Sequence, residues 1–571
     1  MHYDYGRNKS ECPEPIKSEV KGEVTYRSRY LRSDTYNSNI KANRIIVSEM
    51  GTMAFPDSSK SVVVTFLNHT IPDFTDNCAG NIIKYGNDYY ATSETNYIRK
   101  IDPVTLETQD KLDYQKYLPV NLVTSHPHYD KEGNTYNMGT TIADKGKTKY
   151  IIFKVPATEK GASERPAALK SVEILCTLPC RSLFSPSYYH SFGMTENYII
   201  FIEQPLKLDI LKMATAYLRG VNWASCLKFH PEDDTLIHII DRKTKKEVSI
   251  RYHTGAMVVY HHVNAFEEDG HVVFDVITYN DNSLYDMFYL DKLKQQAASG
   301  ATSSPVNPMY KRFVLPLTNK VAEIGKDLVN LNYTTASAVK EKDGKLLCQP
   351  EVLCEGVEVP RINYNYNGQK HRYVYLNVVG MSSLATKITK LDVQTKQRVD
   401  WTSENCAFTE PVFVPMPGAS EEDEGVILTS VINGNPGESD FLLVLEGKSF
   451  KEMARIYVNA ELHIDMHGFF IPQNDETLLS LPCRKTLRTF SSKTDGEVRI
   501  TEILKHKFPL ASALKVVDIS GGCGAMYEIH IESDEFREKR TVEQHQLVNQ
   551  ALKEEIKAMH GLRIFTDIPK K

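Results

Sequence analysis

The chain has 571 residues, long enough for two or more domains, and its 41% apolar and 25% charged residues are the mix of a folded globular protein rather than a disordered or fibrous one. A formal charge of -5 carries no general attraction to nucleic acid. The longest apolar runs, such as Tyr150–Phe153 and Phe441–Leu445, fall far short of the roughly 20 residues a membrane-spanning helix needs, and the N-terminal stretch has no apolar signal core.

Ten cysteines are scattered without regular spacing and read as the reduced thiols of an intracellular protein, so a cytosolic location is expected. Cys176 and Cys180 are the one close pair, and without a matching second pair they do not suggest a zinc site. Up to about residue 470 the pattern is short β-rich runs: Tyr150 to Val155, Tyr198 to Glu203, Thr235 to Ile240, Met257 to His262, Val272 to Ile277 and Tyr373 to Val379. Polar turns at 130–133, 268–270 and 342–344 separate many of them. Many short strands imply a mainly β sandwich, barrel or propeller, and a propeller accommodates this length most naturally. One segment differs. Leu206, Ile210, Met213, Ala214 and Tyr217 recur at helical spacing beside Lys207, Lys212 and Arg219. They read either as a core-packing helix or as an interfacial helix making transient membrane contact over Leu206–Tyr217.

The texture changes after about residue 475. Residues 476–492 are polar and linker-like. Glu497 to Phe508 then reads as a helix, Leu514 to Ser520 and Ala525 to Glu532 as strands, Thr541 to Met559 as a helix and Leu562 to Thr566 as a strand. Thr541 and Gln544 suit a capping box, and Gly561 a helix stop. The order α-β-β-α-β marks a small α+β domain over 493–571.

Four histidines stand in distinctive surroundings: His126 in Thr-Ser-His-Pro-His, His190 in Ser-Tyr-Tyr-His-Ser-Phe, His261 in His-His-Val-Asn-Ala-Phe-Glu and His467 in Asp-Met-His-Gly. Imidazole suits iron, copper, nickel and zinc alike, so residue type alone leaves the metal open. With Tyr30–Tyr36, His69–Cys78 and Asp209–Tyr217, these contexts resemble the carotenoid cleavage oxygenase family, most closely its central-cleaving vertebrate members, almost continuously from Tyr26 to Phe469. The resemblance implies a seven-bladed β-propeller over residues 1–475, with Fe(II) held by His126, His190, His261 and His467. It also implies second carboxylates behind them: Glu94 in Ser-Glu-Thr-Asn-Tyr, Glu358 in Val-Glu-Val-Pro-Arg, and Glu410 in Thr-Glu-Pro-Val-Phe. His128, His262 and His463 adjoin these motifs and take no metal role. The implied reaction joins a carotenoid with O2 and cuts the central double bond of β-carotene to retinal. Tyr188, two residues before His190, is a candidate for the substrate tunnel, as a cation-facing ring or as ordinary core.

Residues 493–571 resemble the BolA-like proteins of the mitochondrial iron–sulfur type, through Lys515–Ile529, Lys539–Gln546 and Met559–Phe565. The resemblance implies a [2Fe–2S] cluster on Cys523 and His560, shared with a monothiol glutaredoxin because such clusters take four protein ligands. It also makes the mitochondrion an alternative location. Gly521-x-x-Gly524 is similar to the KH clamp, but here it joins two strands, and nucleic acid is not expected as a partner.

Against the oxygenase pattern, an Arg-Asn-Gly-Pro-Gly turn and a Trp-Phe-Asp-Gly motif are absent near residues 20–26, a gap of about 40 residues and one blade. The N-terminal blade region is therefore expected to be incomplete. Two other readings follow: an unclosed propeller in which only the BolA-like module works, and an isomerohydrolase-type relative that keeps the same iron.

Overall fold

The computed structural model describes residues 16–17, 23–54, 74–144, 147–157, 168–214, 222–289, 307–318, 323–379, 385–472 apart from 436, 459 and 464, and 495–569 apart from 519–525, 538, 554 and 559–560. The chain divides into two compact units, Met1–Pro472 and Gln473–Lys571. The expected linker, 476–492, lies outside the described residues.

The first unit is built mainly from antiparallel meanders, although some strands pair across an intervening excursion and Tyr252–Thr254 pairs in parallel with Leu346–Gln349 of the added hairpin Ser337–Lys340 and Leu346–Gln349. The first comprises Asn81–Tyr85, Asp88–Thr92, Tyr97–Ile101 and Thr108–Asp113. The second opens on a split strand, Leu122–Val123 and His128–Tyr129, and continues through Thr135–Asp144, Lys147–Val155 and Glu173–Pro179. The third runs from Gly193–Met194 through Tyr198–Glu203 to Thr235–Asp241, whose far edge pairs with both Lys246–Glu247 and Tyr252–Thr254. The fourth holds Val258–Glu268, His271–Tyr279, Met309–Pro316 and Glu351–Glu355; the fifth, Val357–Arg361, Tyr373–Val379, Ala385–Asp392 and Arg398–Trp401. The sixth opens on a second split strand, Cys406–Phe408 and Val412–Pro415, followed by Gly425–Asn433, Phe441–Glu446 and Glu452–Tyr457. These are blades of a β-propeller. Upstream of Asn81 the strands and helices among the described residues are the short pair Ile16–Lys17 with Glu23–Val24 and the helix Asp34–Ala42; residues 1–15, 18–22 and 55–73 lie outside the described set.

Blades covered on both faces explain the apolar runs. Every residue of His271–Tyr279 is buried, which is why Val272 to Ile277 reads as an unbroken apolar stretch rather than an alternating one. Phe274 stacks on Phe313 with ring centroids 5.1 Å apart. A buried ion pair lies in this core: Arg312 donates Nε and Nη2 to the two oxygens of Asp275, each at 2.7 Å, and the Tyr310 hydroxyl donates to the same carboxylate at 2.8 Å. The anticipated turns also hold, with Gly133 and Gly344 at φ +83° and +84°, a backbone that favours glycine.

The helical reading of Leu206–Tyr217 needs correction. Leu206–Leu208 is a strand paired with Leu227–Phe229, and the helix is only Ile210–Ala214. Pro205 and the strand partner claim the first residues. Leu206, Leu208, Ile210 and Met213 are buried, whereas Leu211 is exposed, so this stretch mostly packs inward; residues 215–217 lie outside the described set.

The second unit follows the expected order: helix Asp495–Lys507, strands Ala511–Asp518 and Met526–Ser533, helix Thr541–Ala551 and strand Gly561–Asp567. The last strand runs parallel to Met526–Ser533, which pairs antiparallel with Ala511–Asp518. Two expectations are corrected. The second helix ends at Ala551 and yields to a 3-10 turn at Glu555–Ala558, so Gly561 opens a strand rather than stopping a helix. Its cap is Arg540, whose N–H donates to Glu543 at 2.9 Å; Gln544 instead donates to the carbonyls of Phe536 and Lys539. Its own core contains Ile500, Leu504, Phe508, Val516, Ile529, Ile531, Phe536, Val548 and Leu552.

Candidate metal centre

Two of the histidines, His126 and His261, occupy points where the first strand of a blade departs from regular pairing. Leu122–Val123 and His128–Tyr129 both pair with Thr135–Asp144, so residues 124–127 arch out of the ladder and carry His126 with them. Thr124 Oγ1 fixes the arch by accepting the His126 N–H at 3.0 Å and donating to the His190 carbonyl at 2.5 Å. His261 lies in a β-bulge, where the register against His271–Tyr279 shifts between Val259 and His262. Such a bulge re-aims a side chain. His190 lies just before Gly193–Met194, and His467 follows the last blade strand. The structure thus brings together all four histidines singled out in the sequence, with one ring nitrogen of each within 4.8 Å of the others.

Three rings turn Nδ1 outward to a carboxylate: His190 to Glu94, His261 to Glu358 at 2.7 Å, and His467 to Glu410 at 2.9 Å. Donation from Nδ1 leaves the Nε2 lone pair for the centre. His261 Nε2 is buried and has no hydrogen-bond partner, while His126 Nε2 and His190 Nε2 are 2.8 Å apart. At this distance the two nitrogens share one proton when His126 carries it on Nε2, and a cation suits the same place. A metal–nitrogen bond of about 2.1 Å sets ligands on opposite sides of one ion ~4.2 Å apart, so shifts of a fraction of an ångström bring the set onto one metal. Burial, reinforced by the neighbouring histidines, holds His126 and His190 well below the usual imidazole range, in the neutral form a metal requires.

The three glutamates reach the histidines by different local devices. Glu358 precedes Val359, which takes φ +52°, and the register of its strand shifts between Glu358 and Arg361. A β-branched residue in the left-handed region is strained, and such strain is found where a side chain must be aimed. The Glu358 carboxylate accepts from Tyr279 Oη at 2.6 Å and from the Val359 N–H at 2.5 Å besides His261. Burial works to raise it, but His261 and these donors outweigh that and lower it. Glu410 sits between the halves of the second split strand and accepts the Gly468 N–H at 2.7 Å. It too is lowered overall: burial opposes its charge, and Arg361 and His467 overcome the cost. Glu94, in the loop between Asp88–Thr92 and Tyr97–Ile101, receives the Tyr188 hydroxyl and is pushed up to about 7 by burial.

A cavity of about 340 Å³ adjoins the centre, with Glu94, His190 and His467 in its wall. That is within the range of small-molecule sites. Phe74, Leu208, Met213, Trp223 and Leu227 make its sides apolar, and Tyr188, itself buried in the core, is also in its wall. Sequence reasoning missed several contributors. Tyr260 stacks on the His190 ring at 3.8 Å and 9°, Tyr279 holds Glu358, and Arg361 Nη2 donates to the Gly468 carbonyl at 2.5 Å. Tyr260 precedes a ligand motif and Arg361 follows Glu358 by three residues, so proximity to the motifs was the available signal.

The neighbouring histidines have other work. His128 bonds to the Phe192 carbonyl at 2.8 Å, His262 meets Ser191 Oγ at 3.0 Å, and His463 is exposed. Cys523 and His560, the expected cluster ligands, lie outside the described residues.

A β-propeller with a buried four-imidazole group beside an apolar cavity defines a class: metal-site propellers that take lipophilic ligands. Residues 15–472 match the family described as retinal pigment epithelial membrane protein, the group that contains the carotenoid oxygenases, and the chain belongs to it; residues 505–571 match the BolA-like protein family. Over 521 residues the chain is 56% identical to the beta,beta-carotene 15,15'-dioxygenase of Gallus gallus, covering 83% of this chain and 99% of that protein. It is 57% identical to the Homo sapiens protein of that name over 80% of this chain and 84% of the relative. The mitochondrial carotenoid-cleaving dioxygenase of Mustela putorius furo is 40% identical, covering 79% and 85%. Among solved structures, cobalt-substituted Synechocystis apocarotenoid oxygenase aligns with TM-score 0.58 at 19% identity, over 80% of this chain and 86% of that one. At that identity it shows the fold alone. Among the described residues no helix is long and apolar enough to cross a membrane.

Proposed function

We propose that the first unit is a carotenoid dioxygenase that cleaves the central 15,15' double bond of β-carotene with O2, giving two molecules of retinal. The convergence of four ring nitrogens within 4.8 Å beside an apolar cavity carries this reading, supported by relatives named for that reaction. His126, His190, His261 and His467 would hold Fe(II), and Glu94, Glu358 and Glu410 would orient three of them. Bound ferrous iron supplies a centre at which dioxygen becomes reactive toward an electron-rich double bond. In the net change one C=C and one O=O bond break, two C=O bonds form, and no proton is gained or lost.

The chain's own residues supply position. A hydrocarbon polyene offers almost no polar handle, so Phe74, Trp223, Leu208 and Leu227 bind it by apolar burial. Tyr188 and Tyr260 line the cavity beside the histidines, and aromatic rings there favour positive charge developing on the polyene. The buried wall keeps water from the reacting carbons. In this reading residues 1–475 are the oxygenase, 476–492 a linker and 493–571 the BolA-like module. The cytosol is the working compartment, and Leu211, exposed beside the cavity-lining Met213, is the point of transient membrane contact. A [2Fe–2S] cluster shared with a monothiol glutaredoxin through Cys523 and His560 rests on the BolA-like likeness alone.

The test is turnover of β-carotene under 18O2 by purified, Fe(II)-loaded protein. Retinal carrying one labelled oxygen per molecule is expected. Folded, iron-loaded protein that makes no retinal from β-carotene but releases retinol from a retinyl ester would establish an isomerohydrolase-type activity instead.

A further inference from the structure

The four histidines come from distant stretches, yet one short segment, 358–369, reaches the flank of each of their motifs. It starts at Glu358, which holds His261 Nδ1 at 2.7 Å. Three residues on, Arg361 turns to the His467 side. Its Nη2 donates to the Gly468 carbonyl at 2.5 Å, and its Nε lies 3.5 Å from the Glu410 carboxylate that bonds His467. The chain then makes a 3-10 turn at Tyr364–Tyr366, capped by the buried Asn363. Asn363 Nδ2 also donates to the Glu422 carbonyl at 2.8 Å, which roots the turn in the sixth blade.

Beyond its root the segment meets the other motifs. The Tyr129 N–H donates to the Tyr364 hydroxyl at 3.0 Å, and His128 Nδ1 meets Asn367 Oδ1 at 3.2 Å, both just after His126. Asn264, at the end of the bulge that carries His261, accepts the Gly368 N–H at 3.0 Å. Its Nδ2 donates to the Tyr366 and Gln369 carbonyls at 3.0 and 2.9 Å. Gly368 has φ +77°, and a Cβ there would stand 3.5–3.7 Å from the backbone of residues 194–196, shortly past His190. A metal accepts its ligands only within about 0.2 Å of their preferred distance, and no covalent link sets the spacing between blades. We infer that residues 361–369 are a strap that fixes the spacing of the histidine ring. Arg361 and Asn367 are its positioning residues, raising metal affinity without bonding to any of the four rings. This rests on the four histidines holding a divalent metal, not on which substrate is cleaved.

Co(II) binding to the full chain tests the strap, with affinity measured by chelator competition and ligand geometry read from the visible ligand-field absorption. Arg361→Met cuts the strap near its base and Asn367→Ala at its tip. Groups that bond a ligand directly are worth about 10- to 100-fold in affinity. One step further out, each variant is expected to lose about three- to tenfold and to shift the absorption bands, while the metal-free protein melts near the parent temperature. The double variant is expected to lose less than the product of the single losses, because one strap is cut twice. Arg361→Lys keeps a donor to Gly468 and a charge beside Glu410, and is expected to retain most of the affinity. If Arg361→Met does not fold, Asn367→Ala decides. Single variants with the parent's affinity and bands overturn the inference. So does a loss seen only where the metal-free protein is itself destabilised, or losses that multiply in full, which would make these two local contacts. A parent chain that binds no Co(II) overturns the strap and the metal centre together. A parent that binds metal but forms no retinal removes the dioxygenase reading, while the affinity losses still decide the strap.

Discussion

Replacing Glu358 by glutamine removes one charge from behind His261 and almost no volume. The carboxylate accepts from His261 Nδ1 at 2.7 Å, Tyr279 Oη at 2.6 Å and the Val359 N–H at 2.5 Å. In Glu358→Gln the amide oxygen keeps the His261 and Val359 donors, and the Tyr279 hydroxyl turns to accept from the new NH2. The bulge stays satisfied and the fold is retained. What is lost is the difference between a charge-assisted and a neutral hydrogen bond, about 1–1.5 kcal/mol, together with the negative charge that offsets a dication. Metal affinity is therefore expected to fall about 10- to 30-fold, inside the 10- to 100-fold range of such outer partners. Glu358→Ala costs more, because the His261 N–H and the Val359 N–H are left buried without an acceptor. Competition between protein and a chelator for Fe(II) or Co(II), with circular dichroism melting as the folding control, measures the effect. A folded Glu358→Gln protein that binds metal as tightly as the parent would refute the claim that this carboxylate supports a ligand.

Other predictions follow from the same contacts. Arg312→Met leaves the fully buried Asp275 charge without its bidentate partner and is expected to destabilise the first unit by ~3–5 kcal/mol in chemical denaturation; a loss below ~1 kcal/mol contradicts the buried pair. His238 sits between Glu247 at 2.6 Å and Glu203 at 3.2 Å; burial opposes its charge, but the two carboxylates prevail and raise it to about 9. From an unfolded value of ~6.5, its contribution is complete below that pH and is lost as pH rises through about 9. The stability gap between the parent and His238→Gln is thus expected to be largest near pH 6 and to shrink toward pH 10, and a gap that widens with pH is the contrary result. Leu504→Ala opens a cavity in the core of the second unit at a cost of ~2–5 kcal/mol, read as a lowered melting transition for residues 493–571 expressed alone. His463→Ala, at an exposed position, is expected to keep full metal content while His126→Ala does not.

Much of the site was legible in the sequence because each of the four histidines travels with a distinctive local motif that carries the family resemblance. The arch that Thr124-Ser125-His126-Pro127-His128 makes, latched by Thr124, emerged only in the structure. The strand Tyr198–Glu203 was equally clear, since a run buried on both faces leaves β-branched and aromatic residues unbroken by polar ones. The parts that escaped depend on contacts between distant segments. That Arg361 clasps Gly468, 107 residues away, or that Tyr260 covers the His190 ring is set by how blades meet, and neither leaves a periodic trace. The segment at Leu206 has helical spacing but becomes a strand because Leu227–Phe229 offers it a ladder, a tertiary choice that overrides local pattern. The short second helix of the small unit misled in the same way, its apolar spacing continuing past Ala551 into a 3-10 turn.

The most direct test is X-ray absorption at the iron edge of the Fe(II)-loaded protein, with iron counted per chain. One iron per chain is expected, surrounded by about four imidazole nitrogens, with His126→Ala, His190→Ala, His261→Ala or His467→Ala each reducing that shell or losing the metal. An iron shell made mainly of oxygen, or one that is unchanged when any of these histidines is removed, would contradict it.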